Sequence, residues 1–282
     1  MRPYRLMLLT ALVLTSCAAP SEEAGTFVTA TPSPTLAASP SASARPSASA
    51  AATPTAAATR KPKAKATKAR VATASRVGPP GTVSMTGSKS VALTFDDGPD
   101  PVNTPKLLDV LKAQGVKATF CLVGHRARDN QAVVARIWRE GHTLCNHSWQ
   151  HLEDLGQRPE KYLLSDLRNT NREILRAGPP GATIAYFRAP YGNFSPRLNR
   201  YARQLGMTPI FWDVDDESYR TAVYGHGPAM VDHIVRHVKS QVRAGSIVLG
   251  HDLLKPFTVT AYQRLLPWLK GRFTLVALPA TA

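Results

Sequence analysis

The sequence predicts a parallel α/β fold, a (β/α) barrel one unit short of eight, behind a disordered N-terminal spacer. Three observations predict it. Seven short runs rich in Val, Ile, Leu, Phe and Thr recur over about the last 200 residues. Most are separated by segments whose apolar residues fall at helical spacing, the alternation that parallel strands with crossover helices require. Polar residues able to do chemistry return at the C-terminal ends of the runs, where α/β folds gather a site. A doubly wound open sheet is the alternative architecture.

The elements follow in order. V-A-L-T-F (91–95) is β-branched and aromatic and reads as the first strand. T-P-K-L-L-D-V-L-K-A-Q-G (104–115) reads as a helix, with Thr104 as N-cap, Pro105 at the first helical position and Gly115 past the end. A-T-F-C-L-V-G (118–124) is the second strand, and Q-A-V-V-A-R-I-W-R-E-G (131–141) the next helix. H-T-L-C-N-H (142–147) is the third strand, followed by the helical pattern Y-L-L-S-D-L-R-N-T-N-R-E-I-L-R (162–176). A-Y-F-R-A-P (185–190), P-I-F-W-D-V-D (209–215), S-I-V-L-G-H-D (246–252) and F-T-L-V-A-L-P (273–279) complete the seven.

The 83 residues before this rhythm are of another kind. M-R-P-Y-R, the apolar L-M-L-L-T-A-L-V-L and the small-residue exit T-S-C-A-A-P make an export signal, too short to span a bilayer as a helix. Leu14 to Cys17, L-T-S-C, resembles the lipobox of bacterial lipoproteins, so residues 1–17 are expected to be a signal ending at a lipidated Cys17. An ordinary secretory signal is the other reading, and both place the mature chain outside the cytoplasm, held at the membrane by lipid or secreted to the wall. Residues 18–83 are Ala, Pro, Ser and Thr with a basic knot, R-K-P-K-A-K-A-T-K-A-R. Nothing in them repays the entropy of ordering, and they are expected to be a disordered spacer. The globular domain then runs over 84–282.

Charge distribution narrows the partners. The net charge is +16, but ten of the 35 Lys and Arg precede residue 84 against two Glu, so each part of the chain carries about half the excess. The basic N-terminal part has almost no aromatic residues to stack on bases, which argues against nucleic acid and for attraction to wall polymers or anionic lipid.

The chemistry begins at T-F-D-D-G-P (94–99), where two carboxylates, Asp96 and Asp97, end the first strand. His147 ends the third, Arg188 the fourth, Asp215 the fifth and His251 the sixth. In H-S-W-Q-H the two histidines, His147 and His151, are four apart, and a helical turn after the strand would put both imidazoles on one face. Alone, such a pair is weak; with a carboxylate on a neighbouring strand end it makes a three-ligand divalent-metal site with open positions. The second carboxylate is then available to take a proton from water. A solvated turn capped by one Asp is the bland alternative.

T-F-D-D-G-P (94–99), H-S-W-Q-H (147–151), R-A-P-Y-G (188–192) and I-V-L-G-H-D (247–252), in this order, resemble the polysaccharide deacetylases of carbohydrate esterase family 4, the NodB homology domain. The resemblance covers about residues 88–280. It implies a distorted (β/α)7 barrel, a divalent metal that is commonly Zn2+, and removal of acetyl groups from N-acetylglucosamine polymers or acetylxylan. Position by position it implies Asp96 as general base and Asp97, His147 and His151 as metal ligands. Arg188 would pair with and orient the base, the Tyr191 backbone N–H would help hold the oxyanion, and His251 would be the acid. The reaction implied is hydrolysis by metal-activated water. With the spacer's reach into a wall, the expected substrate is peptidoglycan N-acetylglucosamine or N-acetylmuramic acid, with chitin oligosaccharides or acetylxylan as alternatives. A monomer is expected.

One motif departs. Where the family has D-x-x-D-W after the fifth strand, this chain keeps Asp215 but has Ser218 and Tyr219 for the second Asp and the Trp. Asp216 or Glu217 is a candidate substitute, and a catalytically impaired glycan-binding protein is the alternative this departure raises. Val248 stands at the Leu of the family's L-x-x-H. Among the remaining residues, Cys121 and Cys145 lie in consecutive strands, and in an exported protein the pair points to a disulfide, with two buried thiols as the other reading. Trp149, Tyr191, Trp212 and Tyr219 lie near the expected mouth; Trp212 is assigned to the core and Tyr219 to sugar contact. His226, His233 and His237 read as a loop residue and a helix face, with no second metal site expected there.

Overall fold

A computed structural model describes residues 78–280, so the signal with Cys17 and nearly all of the spacer lie outside the described residues. The strands are β1 (Val91–Asp96), β2 (Thr119–Leu122), β3 (Thr143–Asn146), β4 (Tyr186–Phe187), β5 (Thr208–Pro209), β6 (Val214–Asp215), β7 (Ile247–His251) and β8 (Leu275–Val276). Every ladder is parallel, in the order β5-β4-β3-β2-β1-β7-β6. Strand β8 pairs with the opening residues of β1, Val91 with Leu275 and Ala92 with Val276.

The run P-I-F-W-D-V-D, expected as one strand, supplies both edges of the sheet. Its first residues pair with β4 and its last with β7. Between them the backbone bends across the gap, with Ile210 N–H donating to the Phe187 carbonyl and Asp213 N–H to the Ile247 carbonyl. The curled sheet is thus closed by covalent chain rather than by a ladder, the distortion of this barrel. At the same seam Val83 bridges Ile210, and Arg243 and Ser246 bind the Asp213 carboxylate at 2.7–3.0 Å.

Helices cover the outside: α1 (Asn103–Ala113), α2 (Gly124–Asp129), α3 (Gln131–Arg139), α4 (Glu160–Arg176), α5 (Pro196–Gln204), α6 (Thr221–Tyr224), α7 (Pro228–Gln241) and α8 (Pro256–Lys270). Helix α1 begins one residue earlier than its expected cap. The Asp100 carboxylate, not Thr104, accepts the N–H groups of Val102 and Asn103 at 2.7 Å. The Thr104 hydroxyl is turned to accept from Asp100 N–H at 2.8 Å and to donate to Asp252. Gly115, at φ 62°, ends the helix as expected. Among the described residues no helix is long and apolar enough to cross a membrane.

The period of two along each strand divides the residues between two cores. Val91, Leu93, Phe95, Phe120, Leu122, Leu144 and Val248 face the helices in the larger core. Ala92, Cys121, Cys145, Ala185, Tyr186, Ile247 and Leu249 form a smaller second cluster inside the curl. Cys121 and Cys145 are register partners on β2 and β3, with Cα atoms 4.2 Å apart, and their sulfurs are bonded. The inward parity, continued up each strand, decides what reaches the mouth: Asp96 after Ala92 and Thr94, His147 after Cys145, Arg188 after Tyr186, and His251 after Leu249.

Candidate active site

Asp96 and His251 are register partners on β1 and β7, while His147 stands two strands away on the other side of β1. The two histidines therefore stand on either side of Asp96 at one mouth. Arg188 is fully buried behind Asp96. Its Nη1 donates to Asp96 Oδ1 at 2.7 Å and to Thr94 Oγ1 at 2.9 Å, and its Nη2 donates to the Phe211 carbonyl at 3.1 Å. Thr94 in turn donates to the Val248 carbonyl at 2.8 Å. Strands β1 and β7, the residue after β4 and the bend at Phe211 thus fix one carboxylate through one guanidinium, a rigid fork suited to holding a proton acceptor in place.

Asp97 leaves the strand in the left-handed region, at φ 78°, a costly conformation for a non-glycine residue. The turn brings its side chain to the histidines: Oδ1 lies 3.2 Å from His151 Nε2 and 3.5 Å from His147 Nε2. Arg126 Nη1 holds the Asp97 carbonyl at 2.8 Å. The histidines meet by a route other than the helical turn expected from their spacing. The segment 147–151 is a loop in which Ser148 and His151 take φ of 64° and 57°. Local bonds maintain it: Ser148 N–H to Asn146 Oδ1, His151 N–H to Ser148 Oγ, and Trp149 N–H to Asp166 Oδ1, each 2.9 Å. Burial pushes the Asp166 carboxyl up to about 7 against the pull of that Trp149 N–H.

These three residues fit a divalent cation. One ligand atom from each of Asp97, His147 and His151 lies within 4.8 Å of the others, giving one carboxylate oxygen and two imidazole nitrogens. His147 Nδ1 bonds the Arg188 carbonyl at 2.8 Å, which leaves Nε2 as the ligating atom. Burial pushes the Asp97 carboxyl up, but hydrogen bonds from His147 and His151 and the charge of His251 outweigh it and hold the group well below the usual carboxylate range. His147 moves the opposite way. Burial lowers it, yet Asp96 and Asp97 together raise it. An anionic pocket that attracts a proton onto His147 is one that a cation can occupy in its place.

Around these groups lies a cavity of about 420 Å³, lined also by Tyr191, Gly192, Trp212, Asp215, Tyr219 and Lys255. Tyr191, at φ 56° in the short 3-10 turn Pro190–Gly192, lays its ring 4.7 Å from that of His151 and is 64 % exposed. Next to it Gly192 is required, since a Cβ would fall 2.9 Å from the Trp212 ring. Trp212 is buried as expected but still lines the cavity, and Tyr219 is exposed on the rim, its ring centroid 6.1 Å from that of His251. Trp149 stands outside this lining, beside Arg128.

The altered motif resolves into a specific arrangement. Ser218 itself occupies the place beside His251, with Oγ 3.0 Å from His251 Nδ1. Asp216 lies close enough for its charge to interact with that of His251, but the hydrogen bond to the ring is made by Ser218. Asp216 is buried beneath, accepting Ser218 N–H at 2.8 Å. Burial first, and then Asp215, push its carboxyl up to about 6 although the charge of His251 opposes them. Glu217 turns outward to His233 and Arg220, each at 2.9 Å. Asp215 remains in the cavity wall and accepts Glu217 N–H at 2.9 Å. His226 lies in the loop before α7. His233 and His237 share one face of α7, and His233 is buried rather than solvated.

Three residues that the sequence reading passed over support the site: Thr94 beneath Arg188, Asn146 beneath the histidine loop and Asp166 on α4. Thr94 lies within a quoted motif; Asp166 had no local signal, since its partner is 17 residues away.

Comparison with known proteins agrees with this geometry. Residues 84–210 match the family model described as polysaccharide deacetylase. The chain is 36% identical over 209 residues to a chitooligosaccharide deacetylase of Sinorhizobium fredii, covering 70% of this chain and 93% of that protein. It is 33% identical over 184 residues to a peptidoglycan-N-acetylglucosamine deacetylase of Bacillus cereus, covering 64% and 82% respectively. A family 4 carbohydrate esterase from Streptomyces lividans, solved with acetate, superposes with a TM-score of 0.59 at 31% identity, over 67% of this chain and 91% of that one.

Proposed function

The chain belongs to the polysaccharide deacetylase family, whose members are metal-dependent, and on that premise we propose that it removes acetyl groups from an N-acetylated cell-wall glycan. Peptidoglycan N-acetylglucosamine or N-acetylmuramic acid is the substrate we favour, with chitin oligosaccharides and acetylxylan as alternatives. The observation that carries the reading is the meeting of Asp97, His147 and His151, with Asp96 beside them locked to Arg188.

Asp97, His147 and His151 would hold the cation, and two nitrogens with one carboxylate oxygen favour Zn2+ over Mg2+ or Ca2+. When bound it supplies Lewis acidity to an acetyl carbonyl and to water. The chain's own residues do the rest. Asp96, kept in one orientation by Arg188, takes a proton from the attacking water. The Tyr191 backbone N–H would donate a hydrogen bond to the oxygen on which negative charge develops. His251, on the strand next to that of Asp96 and oriented by Ser218, gives a proton to the amide nitrogen as the C–N bond breaks, so that acetate and a free amine leave. Tyr191 and Tyr219 offer exposed ring faces to sugar.

The L-T-S-C segment and the Ala/Pro/Ser/Thr spacer support a place outside the cytoplasm, with the enzyme lipid-anchored at the membrane or secreted to the wall. No nucleic-acid partner is proposed, and the working unit is taken as a monomer. A second reading, a weakly catalytic glycan binder, is favoured by one observation: a neutral hydroxyl stands beside His251 where the family motif carries an acid.

The test is acetate release by the full chain with Zn2+ from peptidoglycan, chitin oligomers and acetylxylan side by side. Release from peptidoglycan in preference to the others is expected. Binding without release from any of the three, together with turnover gained by Ser218→Asp, would establish the second reading.

A further inference from the structure

The loop that carries Ser218 to His251 also carries Glu217 away from the mouth and onto α7. Glu217 takes φ 57°, a left-handed conformation rare for a residue with a Cβ. Two bonds on either side hold it, Glu217 N–H to Asp215 Oδ1 at 2.9 Å and Ser218 N–H to Asp216 Oδ1 at 2.8 Å. The carboxylate thereby meets two histidines one helical turn apart. His233 Nε2 lies 2.9 Å from Glu217 Oε2, and the His233 and His237 rings stack with centroids 5.4 Å apart. Tyr224 fixes the His233 ring from another side, with centroids 3.8 Å apart and planes 14° from parallel. One ligand atom from each of the three residues lies within 4.8 Å of the others.

We propose that Glu217, His233 and His237 form a second divalent-cation site, separate from the mouth and suited to Zn2+ or a similar borderline metal. The donor set is one carboxylate and two imidazoles, the kind that suits Zn2+. His233 is buried and held by stacking, so little side-chain freedom remains to be lost on binding. The bound ion takes the place of the hydrogen bond between His233 Nε2 and Glu217 Oε2, with the ring proton carried on Nδ1. Arg220 already sits on the same oxygen, Nη1 to Oε2 at 2.9 Å, and competes with the ion. The site is therefore weaker than the one at the mouth. Filled, it ties the loop bearing Ser218 to α7, so that loop and helix move together.

The experiment uses the full chain, stripped by chelator and titrated with Zn2+, with bound ions counted by native mass spectrometry and affinities read by calorimetry. Wild type is expected to take two ions per chain. His237→Ala and Glu217→Gln are each expected to take one fewer than wild type while keeping the wild-type circular dichroism spectrum. His147→Ala is expected to keep the weaker ion. Arg220→Gln removes the competing charge and is expected to tighten the weaker site by up to about five-fold, the factor that the loss of one exposed ion pair supplies. Retention of the wild-type ion count by both His237→Ala and Glu217→Gln overturns the proposal, and so does a wild-type count of one that falls to zero in His147→Ala. None of these readouts depends on deacetylase activity, so the metal site fails or stands independently of the enzymatic reading.

Discussion

Arg188→Met tests the idea that this fully buried guanidinium is the counter-charge of Asp96. Both side chains are nearly inaccessible, and Nη1 and Oδ1 are 2.7 Å apart. Placing the charge centres about 4 Å apart in a medium of effective dielectric about 20 gives an attraction of about 4 kcal/mol. Breaking a buried pair by removing one partner costs about 3–5 kcal/mol, because the survivor remains charged and desolvated. Arg188→Met is therefore expected to lose about 3–5 kcal/mol, including its bonds to Thr94 and Phe211. Asp96→Asn, which strands the guanidinium, should lose a comparable amount. The double variant should lose much less than the sum, leaving a coupling of about 2–4 kcal/mol. The assay is urea unfolding of the full chain in chelator, so that no bound cation substitutes for the missing charge. Single-variant losses that add to within about 0.5 kcal/mol would refute the counter-charge reasoning, and with it the account of how Asp96 is held.

Other consequences are open to measurement. Asp96→Asn should retain the ion at the mouth yet lose roughly 10²–10⁴-fold in turnover, as removal of a general base does, whereas His147→Ala should lose both; metal analysis beside acetate release separates them. Burial, with Lys117 adding to it, pushes His142 down to about 4, while its Nδ1 accepts Ala118 N–H at 3.1 Å. The unfolded chain therefore binds the extra proton first. This contribution, up to about 3 kcal/mol, is complete above pH about 6.5 and is lost as pH falls towards 4. His142→Gln should flatten that slope in urea unfolding, and an unchanged slope would exclude His142 as its source. Reducing Cys121–Cys145, which joins positions 24 apart in sequence, should cost about 3 kcal/mol; an unfolding midpoint indifferent to reductant would contradict that.

Much of the site was legible because strands write their facing in a period of two. Asp96, His147, Arg188 and His251 each end an apolar run at the position that continues the inward set. A reader of the sequence can therefore place them at one mouth without knowing the order of strands. The splitting of P-I-F-W-D-V-D was not legible. Its apolar residues satisfy one strand as well as two, and only the width of the curled sheet makes the segment turn and serve both edges. The spacing of His147 and His151 led to the right pair through the wrong local geometry. Four residues apart fits one helical face, but Asn146, Ser148 and Asp166 bind the loop backbone and favour the left-handed turns instead.

The sequence by itself determined the alternation of strands and helices, the four motifs and the residue types that could hold a cation. All of these are written in local order or short spacing. The tertiary structure alone decided that Ser218, rather than Asp216 or Glu217, reaches His251, and that Glu217 instead finds His233 and His237. Adjacent residues in a tight loop point in different directions. Which neighbour each one meets depends on backbone angles set by bonds to strands and helices far away in the chain.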